Sequence, residues 1–145
     1  MATVVIGSDH AATELRDYLI GWMRQQNHTV ISLFSNTDSE PVDYPDVAHK
    51  VAETIASNCA DFGVLICGTG IGMSIAANRH QGVRAALCMT ELHARLAREH
   101  NHANILCLGG RITGTELAVA ILAAFLATPE SSVERHVRRV EKIDL

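Results

Sequence analysis

The chain has 145 residues, a length typical of a single domain with a sizeable hydrophobic core. A net charge of −4 and an aromatic content of only 4% argue against a nucleic-acid partner, which would need a basic surface or aromatic stacking platforms. The longest apolar run, residues 117–127, is too short to cross a bilayer, and the N-terminus lacks a signal-peptide pattern, so we expect a cytoplasmic protein with no membrane partner.

Short apolar runs alternate with helical patterns along the whole chain. Strands are expected over residues 3–7, 29–34, 61–67, 83–88 and 103–108. Helices are expected over residues 12–25, 46–57, 115–127 and 133–143, and a further helix is expected to start at about Gly72. Thr90 is expected to cap a helix that runs to about Glu99, and Thr113 to cap the helix that starts at residue 115. The polar segment 35–45 is expected to be a loop. This alternation, without repeats or linkers, predicts one α/β domain over residues 1–145, with a five-stranded parallel sheet covered by helices on both faces.

The most informative motif follows the third predicted strand, where Cys67 precedes Gly68, Gly70 and Gly72. A glycine loop at a helix start can bring backbone N–H groups close to an anionic ligand. The same groups favour the thiolate form of a cysteine at the strand end. Three known glycine-loop motifs do not fit. A dinucleotide-binding loop would need glycine at Met73, and a cysteine-phosphatase loop would need arginine at the same position. A Walker loop would need a lysine after the last glycine, and none is present. On local grounds alone, the glycines could form only a turn and Cys67 could be a core residue.

Ligands of parallel sheets bind outside the carboxyl ends of the strands, so polar residues expected there are candidates for a binding site. The candidates are Asp9 and His10 after the first strand, His100 and Asn101 before the fifth, Arg111 after it, and Arg135 and Arg139 on the last helix. Together they suggest a site for a small anionic substrate. Each has an alternative: Asp9 and Asn101 could be helix caps, and the arginines could be the solvated face of a helix buried through Val133, Val137 and Val140.

The histidines and cysteines do not suggest a metal site. His93, His100 and His102 lack convincing ligand spacing, and the four cysteines contain neither a Cys-x-x-Cys pair nor a zinc pattern. We therefore expect no metal site and reduced thiols. Cys88 and Cys107 lie in apolar runs and are expected in the core, whereas His28, His49 and His80 are expected to be solvated.

Several motifs, in order and at comparable spacing, resemble type B ribose-5-phosphate isomerase, whose wider family includes the galactose-6-phosphate isomerase subunits. They are the segments 8–12, 42–45, 67–72, 76–78, 100–101, 108–111 and 135–140. The resemblance covers nearly the whole chain. It implies a Rossmann-like three-layer α/β/α sandwich and the interconversion of an aldose phosphate and a ketose phosphate without cofactor or metal. It also implies a homodimer with active sites built from both subunits, and leaves open whether dimers pair into tetramers.

The resemblance also implies roles for individual residues. Cys67 would be the base that moves a proton between C1 and C2, and His100 would open the sugar ring with Asp9 as its partner on the hydroxyls. The enediolate would be held by the Thr69 hydroxyl and by the backbone of Gly68, Gly70, Ile71 and Gly72. Tyr44, Asn101 and Arg111 would contact substrate, and the phosphate would be bound by His10, Arg135 and Arg139.

Three features bear on the mechanism and the substrate. Some relatives have a glutamate base after the third glycine and lack the cysteine, but this chain has Met73 there and keeps Cys67, which favours the thiol base. The segment 35–37 and Glu134 depart from the usual family pattern, so a four-carbon sugar phosphate, allose 6-phosphate or galactose 6-phosphate is an alternative to ribose 5-phosphate.

Two further hypotheses are a non-catalytic phosphate- or nucleotide-binding module and a subunit inactive without a paralogous partner.

Overall fold

The computed structural model describes residues 1–33 and 41–144, which form a five-stranded parallel sheet between helices. The strands are β1 (Thr3–Ser8), β2 (Thr29–Ser32), β3 (Phe62–Cys67), β4 (Ala85–Leu87) and β5 (Ile105–Gly109), in the order β2-β1-β3-β5-β4. The helices are α1 (Thr13–Gln25), α2 (Tyr44–Ala56), α3 (Ile71–Ala77), α4 (Glu91–Asn101), α5 (Thr115–Ala127) and α6 (Glu134–Ile143). A 3₁₀ turn, His10–Ala12, precedes α1. The predicted α/β fold class is confirmed.

Two hydrophobic clusters cover the two faces of the sheet because successive strand side chains point to opposite sides. On β3, Val64 and Ile66 face the cluster that contains residues of α1, α4 and α5. Leu65 and Cys67 face the cluster formed with α2 and α3. Helix α6 lies outside this sandwich, against α4. The side chain of Cys67 therefore projects into the layer that also holds the start of α3.

Several element boundaries differ from the predicted ones. Helix α2 begins at Tyr44, two residues early, because Pro45 is well suited to the first helical turn. The predicted end of β2 at Phe34 and the departure at 35–37 lie outside the described residues. Thr90 caps α4 as predicted, since its side chain accepts a hydrogen bond of 3.0 Å from the N–H of His93. In its described part, the chain has no helix with the length and apolarity to cross a bilayer.

The predicted cap of α5 is wrong. Gly114, not Thr113, occupies the N-cap position, and no side chain caps this helix. Thr113 is one residue too early, and it is buried where the chain turns after β5, with its N–H donating to the carbonyl of Gly109 at 2.9 Å.

Three histidines expected to be solvated instead have protein partners. His28 Nδ1 accepts a hydrogen bond of 3.1 Å from the N–H of Ala2. His49 and His80 are partly buried, with 2.7 Å between His49 Nδ1 and His80 Nε2. The sequence pattern missed these contacts because each joins residues 26 or more positions apart.

Candidate active site

The central residue is Cys67, the last residue of β3. It pairs with Gly109 of β5 and is only 6% exposed. Its Sγ accepts a hydrogen bond of 3.1 Å from the backbone N–H of Gly70. This contact ties the sulfur at the end of β3 to the backbone of the glycine loop.

The loop after Cys67 turns back on itself through Gly70, whose φ of 78° is left-handed. A Cβ there would lie 2.6 Å from Leu87 Cδ1, so space as well as conformation requires glycine. The Thr69 hydroxyl accepts from the N–H of Ile71 at 3.2 Å, while the next N–H groups of the first turn have no partner within the helix. Helix α3 has only seven residues. These individual N–H groups, rather than the dipole of a long helix, would therefore attract a negatively charged group.

Two side chains from elsewhere in the sequence flank the loop. The ring of Tyr44 lies against Gly72, where an added Cβ would be 2.5 Å from Tyr44 Cζ. The Arg111 side chain runs beside Gly68, and its Nε would be 3.5 Å from a Cβ on that residue. The N–H of Arg111 also donates to the carbonyl of Gly68 at 3.0 Å. An aromatic ring and a guanidinium thus border the backbone that carries the N–H donors.

Asp9 and His10 reach the same edge from β1, the strand beside β3. The N–H of Asp9 donates to the carbonyl of Ile66 at 3.2 Å. Its Oδ1 accepts from the N–H of Ala11 at 3.0 Å, so the capping alternative is confirmed for this residue. A carboxylate has about four lone-pair sites, so capping leaves capacity for a sugar hydroxyl. His10 Nδ1 accepts from the N–H of Val42 at 3.3 Å, which ties it to the segment leading to Tyr44.

We call this set the carboxyl-edge group, because its members lie at the carboxyl ends of the strands: Asp9, His10, Tyr44, Cys67, Gly68, Thr69, Gly70, Ile71, Gly72 and Arg111.

Within one chain His100 and Asn101 do not join this group, so the expectation that they gather at the carboxyl ends of its strands is wrong. They occupy the last turn of α4, which starts after the carboxyl end of β4 and returns to the amino end of β5. At that end, Arg84 Nε donates to the carbonyl of His102 at 2.9 Å, and Asn101 lines a groove of about 640 Å³. His100 shortly precedes β5 and so lies near the amino end of that strand, whereas Cys67 lies at the carboxyl end of β3. The two residues are therefore separated by about the length of a strand, ~15–20 Å.

Helix α6 brings Arg135 and Arg139 to the same distant edge as His100. The His136 ring of α6 lies 4.3 Å from the His100 ring, centroid to centroid. Both arginines are exposed and one helical turn apart. Three valines were expected to be buried on this helix, but only Val140 is buried. Val133 is 44% exposed and Val137 is half-buried, and His136 is buried in addition to Val140. We call His100, Asn101, Arg135 and Arg139 the amino-edge group.

The remaining cysteines differ from Cys67 in their environment. Burial raises the pKa of Cys88 to about 11, and burial with nearby Cys67 and Cys88 raises that of Cys107 further. Both therefore stay protonated at neutral pH, in agreement with the predicted core role. Cys59 is exposed and contacts Ser57. Within residues 1–33 and 41–144, no three His, Cys, Asp or Glu side chains are grouped so that they could hold a metal ion.

The chain matches known proteins over nearly its full length. Residues 4–143 match the family model described as Ribose/Galactose Isomerase. Ribose-5-phosphate isomerase B of Escherichia coli is 39% identical over 143 residues, covering 99% of this chain and 95% of that protein. A D-erythrulose-4-phosphate isomerase of Pectobacterium atrosepticum is 40% identical over 126 residues, 87% of this chain and 83% of that protein.

Solved structures give the same result for the fold. The crystal structure of a ribose 5-phosphate isomerase from Thermotoga maritima is similar with a TM-score of 0.93 and 52% identity, covering 99% of this chain and 97% of that one.

Proposed function

The chain belongs to the ribose/galactose isomerase family, and we propose that it interconverts D-ribose 5-phosphate and D-ribulose 5-phosphate. It is an aldose–ketose isomerase acting on a sugar phosphate, which makes the non-catalytic binding module the weaker hypothesis. The observation that carries the proposal is the Cys67 sulfur at the end of β3, in hydrogen-bond contact with the glycine loop. A thiol base requires a reducing compartment, so the proposal includes a cytoplasmic location.

The proposed active site combines groups from two copies of the chain in a homodimer. Cys67, which would move the C2 proton, lies at one edge of the sheet, and His100 and the two arginines Arg135 and Arg139 lie at the other. One chain cannot bring both to one substrate. In a two-fold dimer, the amino-edge group of each copy meets the carboxyl-edge group of the other, and both sites form at once.

Exposed apolar side chains support a dimer surface around β4, the edge strand between the two groups. They belong to α3 and to the segment around and within α4: Ile71, Ile75, Met89, Leu92 and Leu96. Fully burying a side chain of this size stabilises an interface by ~1.5–3 kcal/mol. Helices α3 and α4 lead into and out of β4, which has a neighbouring strand on one side only.

Ring opening is the first proposed step. Ribose 5-phosphate rests mostly as a furanose, in which C1 is bonded to the ring oxygen O4. His100 of the second copy and Asp9 share the proton movements: the C1–O4 bond breaks, O4 gains a proton, and the C1 hydroxyl loses its proton to become the aldehyde. An imidazole suits this exchange because its charge changes near neutral pH.

Proton transfer between carbons follows. The Cys67 thiolate takes the proton from C2, and the electrons of that bond form the C1–C2 double bond while negative charge develops on O1. The O2 proton passes to O1, and Cys67 returns its proton to C1, leaving the C2 ketone. Loop N–H groups and the Thr69 hydroxyl stabilise the enediolate, and preorganised donors of this kind are each worth ~3 kcal/mol.

Phosphate binding is assigned to His10 and to Arg135 and Arg139 of the second copy, because a guanidinium binds phosphate oxygens in a planar, bidentate way. Glu134, which departs from the family pattern, pairs with Arg138 at 2.9 Å. Its carboxylate is therefore engaged by an arginine outside the proposed phosphate site.

A four-carbon substrate is the second candidate, since the erythrulose-4-phosphate isomerase is 40% identical over 126 residues and the ribose-5-phosphate isomerase 39% over 143. The test is kcat/KM of the purified chain, alone, on ribose 5-phosphate, erythrose 4-phosphate, allose 6-phosphate and galactose 6-phosphate. The proposal predicts the highest value for ribose 5-phosphate. A higher value for another sugar would replace the substrate, and activity only with a paralogous chain would establish an incomplete subunit.

A further inference from the structure

We infer that His136 and Ser131 are positioning residues that hold the His100 imidazole in the orientation needed to open the sugar ring. This inference rests on the proposed function, in which His100 exchanges protons with the ring oxygen. It assigns a role to two residues beneath the exposed surface of the amino-edge group.

The first observation is the contact between two imidazole rings on neighbouring helices. The centroids of His100 and His136 are 4.3 Å apart, and the ring planes are inclined by 33°. His136 is 9% exposed, whereas His100 is open to solvent. A solvent-exposed ring at the end of a helix can otherwise turn among several rotamers, so a fixed ring against one of its faces restricts that freedom.

The second observation is the position of Ser131, which joins both sides of this contact. Its N–H donates to the carbonyl of Glu99 at 3.2 Å, and its carbonyl lies 3.0 Å from His102 Nε2. Since a carbonyl oxygen only accepts, His102 must carry its proton on Nε2. Ser131 therefore binds the residue before His100 and the second residue after it, which fixes the last turn of α4.

The Ser131 hydroxyl extends the same network to α6. Its Oγ accepts from the N–H of Val133 at 3.2 Å and is 3.1 Å from Nδ1 of His136. The hydroxyl thus orients the His136 ring at the start of the helix that carries Arg135 and Arg139. One serine sets the relative position of the stacked rings and of the proposed phosphate-binding helix.

The electrostatic surroundings of His136 oppose a positive charge on its ring. The pKa of His136 is lowered, first by burial and then by His100, Arg135, Arg139 and His102. The carboxylate of Glu130 lies 3.5 Å from His102 Nδ1 and 3.6 Å from Arg98 Nη1, so it faces those two side chains. A neutral His136 supports the His100 ring without adding a second positive charge against its face.

The test separates ring opening from proton transfer by using a cyclic and an open-chain substrate. Ribulose 5-phosphate cannot close a furanose ring, because its C5 oxygen bears the phosphate. Exchange of its C1 proton in D₂O therefore requires Cys67 but no ring opening. Isomerisation of ribose 5-phosphate requires both steps. The variants are His136→Leu and Ser131→Ala, with Ser131→Thr to restore the hydroxyl and Ser132→Ala as the control at the adjacent exposed serine.

We expect kcat on ribose 5-phosphate to fall ~10- to 100-fold in His136→Leu and Ser131→Ala with little change in KM, as for a misplaced catalytic group. Deuterium exchange into ribulose 5-phosphate should stay within about twofold of the wild type. Ser131→Thr should recover most of the loss, and Ser132→Ala should match the wild type. In a His100→Asn background, His136→Leu should have no further effect, because it acts through the ring already removed.

Equal losses in both assays, or none in either, would overturn the inference, as would additive losses in the double variant. Misfolding would reduce both assays together, and thermal unfolding of each variant would identify it. If the wild-type chain instead isomerises another cyclic aldose phosphate, only the proposed substrate is wrong. The same variants are then compared on that sugar and on its ketose product. If it isomerises no cyclic aldose phosphate, both proposals fail.

Discussion

The backbone N–H of Gly70 donates a hydrogen bond of 3.1 Å to Sγ of Cys67, three residues earlier in the chain. This contact distinguishes Cys67 from Cys107 on β5, where burial raises the thiol pKa. Both side chains belong to the same hydrophobic cluster, so burial alone does not separate them. The difference is that the chain turns immediately after Cys67 and directs a backbone N–H back to its sulfur.

Thiol alkylation should report this difference directly. With iodoacetamide at about pH 8, we expect the native protein to be modified at Cys67 and at exposed Cys59, and not at Cys88 or Cys107, because only the thiolate reacts. Burial raises the pKa of Cys88 to about 11, so its thiolate is scarce until the pH approaches that value. Peptide mass spectrometry gives the site occupancies.

Ribose 5-phosphate provides the control in the same experiment. It should slow modification at Cys67 and leave Cys59 unaffected, since Cys59 lies between α2 and β3, away from the proposed substrate site. Reaction of Cys88 at the rate of Cys67 in the folded protein would show that Cys67 has no special environment.

Replacing Gly72 by alanine should displace the Tyr44 ring. A Cβ at Gly72 would lie 2.7 Å from the Tyr44 hydroxyl oxygen, far inside van der Waals contact. We expect Gly72→Ala to raise KM and lower kcat, and Tyr44→Ala in the same chain to relieve the crowding, so the two effects should not add. Gly21→Ala, with open space around it in α1, is the matched control and should stabilise the fold by ~0.5–1 kcal/mol. Additive losses in the double variant would contradict the contact.

Mixing two inactive variants tests whether the site is shared between copies. Cys67→Ser damages the carboxyl-edge group and His100→Asn the amino-edge group. If each site takes one group from each copy, half of the randomly paired dimers contain one intact site. The mixture should then recover about a quarter of wild-type activity after subunit exchange.

A second mixture shows whether this recovery is specific. Cys67→Ser with Asp9→Asn should recover nothing, because both changes lie in the carboxyl-edge group and every site carries one of them. The shared site would be refuted by activity in this control, or by its absence from the first mixture when subunit exchange is demonstrated by mass.

Arg139 should act mainly in substrate binding. We expect Arg139→Ala to raise KM for ribose 5-phosphate by ~10-fold or more, because the substitution removes a charge-assisted contact to phosphate. The effect on kcat should be smaller. Arg138→Ala is the matched control on the same helix, since Arg138 pairs with Glu134 in an exposed ion pair that contributes little. Equal effects of the two substitutions would mean that the helix cations are only solvated.

The fold and the centre of the site could be predicted because local signals specify them. Apolar runs identify the strands, and a cysteine followed by alternating glycines marks the end of β3. Gly70 does adopt the left-handed conformation that such a loop needs. Residues at the carboxyl ends of β1, β3 and β5 therefore come together as expected, with Asp9, Cys67 and Arg111 at one edge.

The misplaced residues show where pattern reasoning fails. His100 precedes a strand, and in a parallel sheet this puts it at the opposite edge from residues that follow strands. That error concerned topology and could have been avoided from the order of elements alone. The contacts of Tyr44 with Gly72 and of His136 with His100 are different, because each depends on how two separate helices pack. Valine spacing on α6 predicted a buried face that in fact includes His136.

The most direct measurement is kcat and KM of purified Cys67→Ser on ribose 5-phosphate, beside Cys59→Ser and the wild type. A serine hydroxyl keeps the size of the side chain and loses the readily ionised thiol, so kcat should fall ~10²- to 10⁴-fold. KM should change little, because the lost interaction serves proton transfer rather than binding, and Cys59→Ser should equal the wild type. A Cys67→Ser protein that keeps its kcat would contradict the account.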